Sequence, residues 1–201
     1  MTVEMALLAV IAGAGRHMAT LRRRVRTLER QAITDPLTGA FNRRYMHTAL
    51  ATAVERCRRS SEPASLLLLD VDRFKPLNDT IGHAAGDRVL KAIVTLVDRR
   101  LRLVDSVFRL GGDEFVVLLS GARAADARVV AEELRTAMER VRVVQDRLVS
   151  ISIGIAELSA NQSPAEWLAE ADAALYDAKR AGRNRVASLP DPSIPIRRRI
   201  S

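Results

Sequence analysis

The chain has 201 residues, 48% apolar and 28% charged, which fits one globular domain with short extensions and excludes disorder as the main state, because disordered chains lack the apolar residues that offset ordering entropy. Its net charge of +8 is gathered at the ends: residues 1–34 and 182–201 each carry +4, while residues 35–181 hold 21 basic and 21 acidic side chains. A neutral body with 3% aromatic residues argues against a nucleic-acid-binding domain, and one cysteine, Cys57, excludes a disulfide framework or thiolate zinc cluster and suits a reducing, cytoplasmic setting.

Residues 5–15 form an apolar run of 11, about 16 Å long as a helix against the ~30 Å of a bilayer core, so the run does not span one. Glu4 precedes it with no basic residue, unlike a signal peptide. Apolar residues then recur at Met18, Leu21, Val25, Leu28 and Ala32 in steps of 3 and 4, a heptad seam that extends backwards to Ala14, Ile11 and Leu7. A parallel coiled-coil homodimer over residues 1–34 is the favoured reading. A helix folded back on its own domain and an interfacial helix touching a membrane stay open. The basic ends read as solvated arms, with contact to anionic lipid or a polyanion as the alternative.

The segment DPLTG at 35–39 breaks that helix, and a new one is predicted over 42–59. The run LLLLD at 66–70 reads as a strand buried on both faces and ending in a carboxylate. A helix is predicted over 86–101, followed by a hairpin over 106–120 in which Gly111 and Gly112 reverse the chain and leave Asp113 at the start of the returning strand. A helix over 122–141, a strand over 148–157, a helix over 164–181 capped by Ser163 with Glu166, and a short strand over 185–188 complete the series. Alternating elements with a hairpin give an α/β or α+β sandwich, a mainly antiparallel sheet flanked by helices. Residues 35–188 form the domain, and the proline-punctuated residues 189–201 a flexible basic tail.

Asp70 at a strand end and Asp113 and Glu114 at the hairpin would converge if their strands are neighbours, a costly arrangement unless a divalent cation offsets the charge. Oxygen-only ligation favours magnesium or manganese completed by substrate phosphates, hence nucleotide chemistry. A merely solvated strand end is the bland alternative. His17, His47 and His83 lack zinc-ligand spacing.

The string GGDEF at 111–115 is the signature of the GGDEF family, the diguanylate cyclases. DPLTG at 35–39, NRR at 42–44, DVDRFKPLND at 70–79, GH at 82–83, GD at 86–87, SIG at 152–154, ALYDAK at 174–179 and GRN at 182–184 resemble that family's blocks in their order. The resemblance covers residues 35–186 and implies a sheet like that of nucleotidyl cyclases and polymerase palm domains. It implies condensation of two GTP into cyclic di-GMP and two pyrophosphates across a homodimer, with one GTP per subunit and two divalent ions, usually Mg2+. By resemblance, Asp70, the Val71 carbonyl, Asp113 and Glu114 hold metal, and Asp113 is the usual proton acceptor. Lys75 stabilises phosphate charge. Lys179 and Arg183 hold the terminal phosphates, with Arg109 and the Gly111–Gly112 turn nearby, and Asn78 and Asp87 read guanine beside His83. Gly82 and Gly86 bracket His83 as turn formers. Arg102 and Asp105 match an inhibitory site for product. Pro76 departs from the pattern and removes a backbone donor. A catalytically silent module that binds GTP or cyclic di-GMP is the alternative.

Overall fold

The computed structural model describes residues 17, 18, 21, 32–142 and 148–189. The seam predicted over 1–34 and the tail predicted over 189–201 therefore lie almost wholly outside the described residues. In chain order the elements are β1 (Phe41–Asn42), α1 (Arg43–Ser60), β2 (Ala64–Val71), α2 (Phe74–Ile81), α3 (His83–Asp98), β3 (Ser106–Gly111), β4 (Glu114–Ser120), α4 (Ala124–Arg140), β5 (Ile151–Glu157), α5 (Pro164–Arg180) and β6 (Val186–Ser188).

All eight residues of β2 are buried, as a strand covered on both faces requires. Leu66 and Leu68 pack with Met46, Leu50 and Val54 of α1 and Trp167, Ala171 and Leu175 of α5. Leu67, Leu69 and Val71 pack on the other face with Val89, Ile93 and Val97 of α3 and Leu134 and Met138 of α4. Each buried leucine contributes about 2 kcal/mol of transfer free energy, so this strand is the part of the sheet least free to shift.

The strand order is β1-β3-β4-β2-β5-β6. The inner pairs β3–β4, β4–β2 and β2–β5 are antiparallel, and the edge pairs β1–β3 and β5–β6 are parallel. The sheet is thus mixed where a mainly antiparallel one was expected. The edges are strands of two and three residues whose direction is set by the connections that lead into them.

Local chemistry fixes the flanking helices. Asn42 caps α1 by accepting from the Tyr45 amide at 3.0 Å. Ser163 and Glu166 form the expected capping box of α5, and Pro164 occupies its first turn. Trp167 donates its indole N–H to the Ala156 carbonyl at 3.0 Å, which ties α5 to β5. A Cβ on Gly154 would lie 2.2 Å from the Ala171 carbonyl oxygen, so glycine in the SIG block lets that helix settle on the sheet. α2 was not foreseen. Its Pro76 lies in the first turn, where the amide has no intrahelical acceptor to lose.

Candidate active site

Asp70 sits one residue before the end of β2, opposite Glu114 of β4 and Ser152 of β5. Strand alternation turns its side chain to the α1/α5 face, where it is 8% exposed. Lys179, one turn beyond Leu175 on α5, brings its Nζ to 2.8 Å from Asp70 Oδ2. Burial raises the Asp70 carboxyl above its ordinary value, Lys179 opposes this, and the charges of Asp113 and Glu114 push it further up. The net shift is upward even with an ammonium in contact, because burial is the leading cause and the charges of Asp113 and Glu114 add to it.

The pairing that sets Asp70 opposite Glu114 places two carboxylates at one strand end, a donor chemistry that fits a divalent cation. Among the described residues no three His, Cys, Asp or Glu side chains form a ready-made cage. A hard divalent ion is commonly completed by backbone carbonyls and by a ligand's own oxygens rather than by a full side-chain cage.

The hairpin presents the other carboxylates. Gly111 pairs with Glu114, so Asp113 lies within the turn itself and Glu114 opens the returning strand, one position later than expected. Gly111 and Gly112 have φ of 150° and 56°, which the chain needs for so tight a reversal. Arg109 locks this turn. Its Nε and Nη2 donate to the Gly112 carbonyl at 3.1 and 2.7 Å, and its Nη1 donates to both Asp35 oxygens at 3.0 and 3.2 Å. Arg109, expected near phosphates, here directs these donors to Asp35 and Gly112. Asp35 also accepts from the Thr38 amide at 2.9 Å and hydroxyl at 2.6 Å. Burial would raise this carboxyl, but the Thr38 and Arg109 bonds outweigh it and hold it below its ordinary value.

A second group of residues lies on α2 and α3. Lys75 is exposed in the first turn of α2, and His83 is exposed at the start of α3, one turn before the half-buried Asp87. Asn78 buries its side-chain oxygen without a hydrogen-bond partner. A Cβ on Gly86 would meet that oxygen at 2.0 Å and the Phe74 ring at 3.0 Å. Gly86 is therefore a buried helical residue that makes room for the Asn78 amide, and its reading as a turn former is corrected. Gly82 keeps that role, with φ of 83° between the two helices. A buried amide oxygen without a partner costs about 1–3 kcal/mol, which a ligand donor would offset.

Arg183 is exposed in the loop after α5, held by its amide to the Ala178 carbonyl at 3.1 Å. The Asp105 carboxylate accepts from the Arg102 amide at 2.9 Å and the Ser120 amide at 3.1 Å, closing its own turn, while the Arg102 side chain is exposed. Sequence reasoning assigned no role to Asp72. It accepts from the Ser150 and Ser152 hydroxyls, each at 2.7 Å, and from the Asn184 amide at 3.0 Å. Its place in a D-x-D pair signals a carboxylate but not those partners.

Residues 32–185 match the family described as diguanylate cyclase, GGDEF domain. The probable diguanylate cyclase DgcC of Escherichia coli K12 is 40% identical over 163 residues, 80% of this chain and 44% of the relative. The response regulator PleD of Caulobacter vibrioides is 40% identical over 161 residues, 77% of this chain and 36% of the relative. The chain thus spans about half or less of the length of these curated relatives. Among solved structures, the coiled coil and GGDEF domain of DgcB from Caulobacter crescentus, in complex with c-di-GMP, aligns at TM-score 0.84 and 29% identity over 92% of this chain and all 100% of that one. Diguanylate cyclase SiaD from Pseudomonas aeruginosa, in complex with its activator SiaC, aligns at TM-score 0.78 and 36% identity over 92% of this chain and 72% of that one.

Proposed function

Because the chain belongs to the diguanylate cyclase, GGDEF domain family, we propose that it condenses two GTP molecules into cyclic di-GMP with release of two pyrophosphates, one GTP being held by each subunit of a homodimer. The observation that carries this reading is geometric: the pairing of β2 with β4 sets the buried Asp70, with the Lys179 ammonium at 2.8 Å, directly opposite Glu114 at the GGDEF turn.

Asp70, the Val71 carbonyl, Asp113 and Glu114 are the groups that would hold divalent ions, two per half-site and most naturally Mg2+. When bound, such ions supply charge neutralisation on the phosphates and make the attacking 3′-hydroxyl more acidic. Asp113, carried on the turn that Arg109 fixes, accepts the proton from that hydroxyl, and Glu114 maintains the negative field beside it. Lys179 moves its ammonium from Asp70 towards incoming phosphate oxygens, and Arg183 adds a second cation at the terminal phosphates. Lys75 opposes the charge that develops in the transition state. Asn78 and Asp87 select guanine, the amide giving a hydrogen to its carbonyl and the carboxylate accepting from its N–H groups, with His83 at the rim. Product returns to Arg102 and Asp105 as an inhibitor.

Residues 35–188 serve as the catalytic domain. Residues 1–34 pair two subunits as a coiled coil, which raises the effective concentration of one half-site beside the other, and residues 189–201 form a tail. No helix among the described residues is long and apolar enough to cross a membrane, and a GTP-consuming reaction suits the cytoplasm.

Purified chain given GTP and Mg2+ is expected to release cyclic di-GMP, at a rate that rises more steeply than linearly with protein concentration, and Asp113→Ala is expected to abolish it. An unchanged rate in that variant refutes the site assignment, and GTP binding without turnover in the unaltered chain selects the silent binding module instead.

A further inference from the structure

Three successive residues after α5 lie in left-handed backbone: Gly182, Arg183 and Asn184 have φ of 119°, 63° and 46°. Asparagine tolerates this region and glycine prefers it, but for arginine it costs about 1 kcal/mol or more, so the turn persists only where its surroundings over-determine it.

The surroundings converge on Asp72. Its Oδ2 accepts the Asn184 amide at 3.0 Å and the Ser150 hydroxyl at 2.7 Å, and its Oδ1 accepts the Ser152 hydroxyl at 2.7 Å. Its own amide donates to the Ser150 carbonyl at 3.0 Å. One carboxylate thus joins the end of β2, the start of β5 and the loop after α5, segments separated by 78 to 112 positions in sequence. The Asn184 side chain is fixed from the other side, its oxygen accepting from Arg135 at 3.2 Å and its amide donating to Glu139, both on α4. A cavity of about 470 Å³ opens between this loop and α2, lined in part by Arg73, Pro76, Leu77 and Arg183.

Asp70 and Asp72 therefore divide the work of one strand end. Asp70 faces a cation and two anions, whereas Asp72 has its oxygens filled by neutral donors and has little left to offer a metal. We infer that Asp72 is the positioning residue for Arg183: by holding the Asn184 amide it imposes the left-handed turn that points the Arg183 guanidinium at the terminal phosphates of the nucleotide. This inference rests on the GTP-binding reading of the site.

The test uses the full chain with Asp72→Asn, and with Asp72→Ala as a second variant should Asn184 find a substitute acceptor in the first. Hydrogen exchange at the Asn184 amide, measured without nucleotide, reads the anchor alone. Affinities for GTP and for guanosine monophosphate read its consequence, because only GTP carries the phosphates that Arg183 would reach. Faster exchange at Asn184, with GTP weakened about tenfold and the monophosphate within about twofold, is expected from loss of a hydrogen bond to a charged group. In an Arg183→Ala background the same substitution should leave GTP affinity unchanged. Unchanged exchange, equal weakening of both nucleotides, or full additivity with Arg183→Ala would overturn the inference. Failure of the unaltered chain to bind GTP would overturn the reading of the site instead, and with it the role assigned to Arg183, while the exchange measurement would still decide whether Asp72 holds the loop.

Discussion

Asp35 and Asp70 each hold a cation within 3.0 Å, yet their carboxyls shift in opposite directions, Asp35 downward and Asp70 upward. The difference lies in what surrounds the pair. Asp35 receives two donors from Thr38 and a guanidinium that contacts both of its oxygens, so its ionised form is satisfied and the contact serves structure. Asp70 is buried, has one ammonium, and faces Asp113 and Glu114. An ion pair that is complete holds a turn, and one left short of positive charge marks a place for a cation. The two meet at the hairpin, where Arg109 steadies the Gly112 carbonyl and the charge of the next residue, Asp113, acts on Asp70.

The contrast can be broken most severely at Asp70. Asp70→Asn is expected to lower cyclic di-GMP synthesis by about a thousandfold or more, and yet to melt no lower than the unaltered chain in calorimetry. The sign follows from the raised pKa: the native state binds the proton more readily than the unfolded chain, so ionisation as pH rises through that value costs stability, and a neutral isostere avoids the cost.

Arg109→Ala should do the reverse, destabilising the fold by about 2 kcal/mol in urea titration, because it strips the Asp35 pair and the Gly112 carbonyl of donors. Since the Asp35 carboxyl lies below its ordinary 3.8, the stability it contributes is complete above that value and lost as pH falls through its native pKa, and this acid sensitivity should shrink in the variant.

Asp105 resembles Asp35 in being satisfied by its own turn. Asp105→Ala should therefore cost about 1–2 kcal/mol, whereas Arg102→Ala should change stability by less than about 0.5 kcal/mol; both should relieve inhibition in a product-titrated assay. Thr38→Val should cost about 1 kcal/mol, with the Asp35 carboxyl titrating closer to its ordinary value by NMR.

The sequence made visible whatever depends on local pattern. The leucine run of β2, the glycine reversal between β3 and β4, and the capping box of α5 each carry their cause within a few residues. α2 escaped because its stability is tertiary: Phe74, Leu77 and Ile81 pack against the α3 side of the core, and nothing in eight residues with a proline announces that. The structural partner of Arg109 was not legible because Asp35 lies 74 positions away. Asp72 remained a bare carboxylate for the same reason, and Gly86 passed for a turn residue because only the folded chain brings Asn78 over it. The acidic cluster was legible only as a conditional statement: the pairing of β2 with β4 sets Asp70 opposite Glu114, while among the described residues no three such side chains form a cage.

The central claim is that the strand end and the hairpin share a divalent ion, and manganese binding followed by electron paramagnetic resonance in the presence of a non-hydrolysable GTP analogue tests it most directly. The account predicts that the unaltered chain takes up the ion and that Asp70→Asn and Asp113→Asn each weaken uptake by about tenfold or more. Manganese affinity unchanged in both variants would contradict it.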